Sequence, residues 1–99
     1  MTSIQIEDVW AIEIPNSNYL GWPTMTKTAD GELLVVYSGG RQHHVCPFGQ
    51  VLMISSRDEG RSWTWPRVLV DSMLEDRDAG ILQTRKNTLI VNWFTTLAW

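Results

Sequence analysis

Apolar and polar residues alternate with period two along most of the chain, and no long stretch places apolar residues at helical spacing. The pattern predicts strands joined by tight turns. Residues 9–14 read as one strand, ended by Pro15, and Asn16-Ser17-Asn18 as a loop. Residues 22–28 read as a second strand, with Pro23 at its edge. Asp30-Gly31 then supplies a hairpin turn into residues 33–38, which close at Gly39-Gly40. Residues 51–55 form another run, and residues 62–68 an edge-like one interrupted by Pro66. Residues 75–80 read as a charged loop, and residues 81–84 and 88–95 as a last hairpin across Arg85-Lys86-Asn87.

Two of these hairpins match at a constant offset of 56. Thr28 aligns with Thr84, Leu33 with Leu89, Leu34 with Ile90, Val35 with Val91 and Tyr37 with Trp93. Gly31 aligns with Asn87, and both residues tolerate turn conformations. The register holds without a gap, which points to an internal repeat of several strands per unit.

Between strands lies Ser56-Arg57-Asp58-Glu59-Gly60-Arg61-Ser62-Trp63, of the form S-x-D-x-G-x-S-W. Each fixed position suits a tight turn. Asp58 can accept backbone N–H bonds, Gly60 can take a positive φ, Ser56 and Ser62 offer short hydroxyls, and Trp63 opens the outgoing strand as an apolar anchor. This pattern resembles the Asp-box, or BNR repeat, of sialidase-like β-propellers. The resemblance implies an all-β fold of antiparallel four-stranded meander blades, with the box structural rather than catalytic. On that frame residues 1–22 are a leading strand and loop, residues 23–78 one blade equivalent carrying the box at 56–63, and residues 79–99 the first strands of the next.

That is less than two blades, whereas propellers close with about four to eight. The sequence therefore leads to the expectation of a propeller incomplete in one chain. A second copy, a missing partner, a small non-propeller sheet or a longer parent chain would each resolve the open faces. A homo-oligomer is the preferred expectation, with a trimer supplying about six blade equivalents.

The resemblance also locates a candidate site. In the family the ligand pocket lies on the central axis, beside the starts of innermost strands. Here those places are Gly21-Trp22-Pro23, the loop from Gly39 to Gly49, and residues 75–80. Arg41 matches the family's loop arginine. Gly21 stands where the first arginine of the carboxylate-binding triad belongs, and no Asp or Glu occurs between Arg41 and Gly49, where the family has its acid/base aspartate. His43 and His44 occupy that loop instead.

An acidic sugar needs fixed cations, which Arg41 and Arg77 can supply as bidentate partners. Trp22 and His43 complete the candidate binding set. Glycoside hydrolysis generally needs two carboxyl groups. Asp76 and Asp78 are the candidates, with Arg77 between them pointing the opposite way on extended backbone. His44 is a candidate acid/base, because imidazole titrates near neutral pH. Asp76-Arg77-Asp78 also reads as a solvated turn.

Composition limits the alternatives. Eight scattered basic residues and a net charge of −3 leave no basic stripe for nucleic acid. Six tryptophans suit aromatic anchors in each repeat or a sugar-binding face. The single Cys46 excludes an internal disulfide, and His43-His44-Val45-Cys46 falls short of a usual zinc ligand set. No phosphate-binding loop or other cofactor motif is present, so no cofactor or metal is expected. The N-terminus lacks the pattern of a signal peptide and no run approaches a membrane span, so a soluble, cytoplasmic chain is the default expectation. Two functions compete: glycan hydrolysis in a pocket completed by oligomerisation, or a non-catalytic glycan-binding or assembly module.

Overall fold

The computed structural model describes residues 3–12 and 19–98. Six strands follow one another: β1 (Tyr19–Lys27), β2 (Leu33–Arg41), β3 (Gln50–Ser56), β4 (Arg67–Val70), β5 (Glu75–Gln83) and β6 (Leu89–Thr96). They form a four-stranded sheet in the order β1-β2-β3-β4 and a two-stranded sheet of β5 and β6, all antiparallel. The chain is all-β, as the period-two pattern requires.

The 56-residue offset is present in three dimensions. β1 begins at residue 19 and β5 at residue 75. The β1–β2 ladder shifts register between Gly21 and Thr24, and the β5–β6 ladder between Arg77 and Gly80. Inside those bulges Trp22 has φ 53° and Asp78 φ 55°, and at the hairpin turns Gly31 has φ 88° and Asn87 φ 66°. The turn bonds repeat too. The Thr28 N–H donates to Glu32 O at 2.8 Å, as Thr84 donates to Thr88 O at 2.8 Å. Likewise Thr28 Oγ1 accepts the Glu32 N–H at 3.1 Å, as Thr84 Oγ1 accepts that of Thr88 at 3.2 Å.

The four-stranded sheet buries both faces, which is why β2 reads as a continuous apolar run rather than an alternating one. One face gathers Val35, Tyr37, Leu52 and Ile54, with Ile12, Leu20 and Trp63 against them. The other gathers Val36 and Val51 with Ala79 of the second hairpin, flanked by Met53, Leu69, Val70 and Ile81. The β5–β6 hairpin thus lies over the sheet.

Four local expectations change. Residues 9–12 form no strand, and residues 13–14 and the loop at 16–18 lie outside the described residues. The last sheet strand is Arg67–Val70 alone, because Pro66 lacks the N–H a ladder needs. Residues 75–80 are strand rather than loop, and Glu75 and Asp76 are fully buried, so the solvated turn does not form. β2 continues through Gly39-Gly40 to Arg41, carrying that arginine into the interior.

Candidate functional site

The bulges and strand ends bring a polar and aromatic cluster together. β1 contributes Tyr19 and Trp22, the end of β2 Arg41, the following loop His44, β5 Glu75, Arg77 and Asp78, and β6 Phe94. Glu75 sits at its centre. Its Oε1 accepts from Arg41 Nη2 at 2.6 Å and from Arg77 Nη1 at 3.2 Å. Arg41 and Glu75 are both fully buried, and Arg77 nearly so. Arg41 Nη1 also donates to His44 O at 3.3 Å. Burial of two charges is tolerated only when each finds a partner, and here one carboxylate holds two guanidinium groups.

Aromatic rings enclose the arginines. Arg77 Cζ lies 4.4 Å from the Trp22 ring centroid and 5.9 Å from that of Phe94, and Arg41 Cζ lies 5.5 Å from Trp22. Such distances give cation–π attraction. His44 meets the Trp22 ring edge-on at 4.8 Å between centroids, and Tyr19 is 5.8 Å from Trp22. The His44 ring nitrogens approach Tyr19 Oη and Arg77 Nη2, each at 3.4 Å. The left-handed backbone at Trp22 turns its side chain into this cluster. For a bulky residue that conformation costs about 1–3 kcal/mol, which the surrounding contacts must offset.

Gly49 is required by close approach. A Cβ there would fall on the Arg41 guanidinium, and would stand 3.2 Å from the Asp76 carbonyl oxygen. The Gly49 carbonyl accepts the Asp76 N–H at 3.1 Å, which ties the loop to β5.

The two candidate aspartates have different partners. Asp76 is fully buried, and its carboxylate accepts from the Ser72 N–H at 2.7 Å, Ser72 Oγ at 2.9 Å and Thr95 Oγ1 at 2.7 Å. It fixes the turn before β5. Asp78 is partly exposed, and its Oδ1 stands 3.6 Å from Arg77 Nε. Simple alternation would put Asp78 on the side of Asp76. The left-handed backbone at residue 78 instead brings it to Arg77. Among the expected site residues, Trp22, Arg41, His44, Arg77 and Asp78 converge, Asp76 faces its own turn, and His43 is exposed on the loop outside the cluster. Glu75, Tyr19 and Phe94 were not expected. Only Glu75 had a sequence signal, since alternation places Glu75 and Arg77 on one side of a strand.

The S-x-D-x-G-x-S-W segment closes the opposite end of the sheet. β2 pairs Leu33 with Ser56, so about 26 Å of strand separates the box from Arg41. Asp58 Oδ1 accepts from Ser56 Oγ at 2.8 Å and from the Ser62 N–H at 2.9 Å, and Oδ2 accepts from Ser62 Oγ. Ser56 Oγ accepts the Gly60 N–H at 2.8 Å, and Trp63 Nε1 donates to Gly60 O at 2.9 Å. Gly60 carries φ 88°. The bonds from Ser62 and Ser56 hold the exposed Asp58 carboxyl down at about 2. Every fixed position of the motif thus serves the turn.

Cys46 is buried beneath the loop. Burial raises its thiol pKa, but backbone N–H groups at Gln42, Phe48 and His43 and the charge of Arg41 outweigh that and lower it overall. Among the described residues no three His, Cys, Asp or Glu side chains gather as a metal site, and no helix is long and apolar enough to cross a membrane. No protein-family model matches the chain, and no curated protein matches it.

Proposed function

We propose that this chain recognises an acidic sugar on a sialidase-like propeller framework, at the cluster where β1, β2 and β5 meet. One observation carries the reading. The Nε of Arg77 has no hydrogen-bond partner, although it is buried, and the Asp78 carboxylate faces it at 3.6 Å. Asp78 occupies the place of a ligand carboxylate without making its bonds. A sugar acid that displaces it gains two parallel N–H···O bonds from the Nε and Nη2 of one guanidinium. Glu75 holds Arg77 from the other side, and Trp22, Tyr19 and His44 give the ring an aromatic wall. Further units, from copies of the chain, complete the pocket.

Recognition is favoured over hydrolysis by the state of the carboxyl groups. Glu75 is fully buried between two arginines and Asp76 spends its oxygens on Ser72 and Thr95. Only Asp78 is accessible, and glycoside hydrolysis generally needs two. Hydrolysis keeps one supporting observation, the proximity of His44 to Arg77 beside Asp78, which offers an acid/base next to a carboxylate.

Asp78→Asn separates the two. Asparagine tolerates the left-handed backbone and removes the competing charge. Recognition predicts acidic-sugar affinity raised by up to about fivefold, the worth of a partly exposed ion pair. Hydrolysis predicts that fluorogenic sialosides or uronides are turned over by the original chain and no longer by the variant. Turnover abolished by Asp78→Asn would replace the recognition reading.

A further inference from the structure

We propose that the outer face of the β5–β6 hairpin is a docking surface for a second copy of this chain, joined head to tail. The repeat supplies the template. Within one chain, Ala79 and Ile81 on the inner face of the second hairpin pack on Val36 and Val51 of the sheet. Stepping back 56 residues, Ala79 and Ile81 become Pro23 and Met25, while Val36 steps forward to Asn92 and Leu34, on the same side of β2 by alternation, to Ile90. If the contact is made a second time, Pro23 and Met25 of one copy meet Ile90 of another.

Both surfaces are open. Leu82 and Ile90 pair across the hairpin and are 51% and 48% exposed, and Phe94 on the same strand is 47% exposed. Met25, the ladder partner of Val35, is 61% exposed. Beside it lies an apolar groove of about 360 Å³, lined by Pro23, Val35, Tyr37 and Ile54 with Trp10 and Ile12 as one wall. Exposed apolar side chains grouped on a sheet face favour an interaction site there.

Besides the bonds at the Glu75 and Asp76 end, the contact within the chain is tied by Thr24 Oγ1 to Ala79 O, the Asp78 N–H to Ser38 Oγ, and the Ala29 N–H to Gln83 Oε1. Their counterparts would need a hydroxyl at Gly80, a hydroxyl at Phe94 and an amide at Lys27, which the sequence lacks. The contact between copies therefore lacks these bonds, has Asn92 where Val36 stands, and is weaker than the one within the chain. It is also heterologous, since one face of each copy meets a different face of the next, and such contacts close into rings when the rotation permits.

Sedimentation equilibrium of the 99-residue chain tests this over a wide concentration range. The expected mass rises to a small multiple of one chain, three for the ring anticipated from blade number. Ile90→Asp spoils one face and Met25→Asp the other, so each variant alone stays at the mass of one chain. An equimolar mixture retains one intact pair of faces and forms a two-chain complex. If Ile90→Asp loses its strand circular dichroism, Leu82→Asp takes its place. Three results would each overturn the proposal: the original chain remaining single throughout, either variant assembling as the original does, or the mixture remaining single. Assembly is read as mass in the absence of sugar and sugar binding by titration, so failed docking and failed sugar binding are read separately.

Discussion

Replacing Glu75 by glutamine should be among the most damaging single changes to this fold. Glu75 and Arg41 are fully buried and 2.6 Å apart, and Arg77 Nη1 reaches the same oxygen at 3.2 Å. Glu75→Gln keeps the shape and removes the buried carboxylate that two guanidinium groups share. Loss of one partner of a buried ion pair costs about 3–5 kcal/mol, because the other charge is left uncompensated. A domain of this size is stable by about 5–15 kcal/mol in all. At about 4–8 °C per kcal/mol, the midpoint of thermal unfolding should fall by roughly 12–40 °C. Arg41→Ala should cost less, because Glu75 then retains Arg77. Urea and thermal melts followed by tryptophan fluorescence give both values. A loss below about 1 kcal/mol for Glu75→Gln, or one smaller than that of Arg41→Ala, would refute the reasoning.

Other outcomes follow from the same geometry. Gly49→Ala should destabilise by about 1–3 kcal/mol in urea melts, since its methyl group falls on the Arg41 guanidinium and meets the Asp76 carbonyl. Asp58 has its pKa lowered from 3.8 to about 2, so the stability it contributes is complete above the unfolded value and is lost as pH falls from 3.8 through about 2. Asp58→Asn should therefore melt lower than the original chain above pH 3.8 and converge with it in acid, and a constant gap across that range would contradict the turn bonding. The same variant lies far from the cluster and should leave sugar affinity unchanged while the protein is folded, as measured by isothermal titration.

The turns and the repeat were legible in the sequence because they are local. Asp30-Gly31 and Asn87 announce left-handed turns, and the serines, Asp58 and Gly60 bond within a few residues of one another. The buried start of β5 was not. Glu75-Asp76-Arg77-Asp78 reads as a solvated segment, since four charges in a row rarely enter a core. Its first three residues are covered because the hairpin lies over β2 and each of those charges meets a partner remote in sequence: Arg41 for Glu75, Thr95 for Asp76, Trp22 for Arg77. The place of Asp78 beside Arg77 was hidden for a different reason, a positive φ that breaks alternation in a residue other than glycine. Trp65, one of the six tryptophans that suit aromatic anchors, stands almost fully exposed next to Pro66, where β4 has not yet begun.

The acidic-sugar account is tested most directly by isothermal titration of the folded chain with a sugar acid and with its uncharged methyl ester. The account predicts that the acid binds, that the ester does not, and that Arg77→Ala weakens the acid by about 10- to 150-fold, the worth of a hydrogen bond to a charged group. Equal binding of acid and ester, or undiminished binding of the acid by Arg77→Ala, would contradict it.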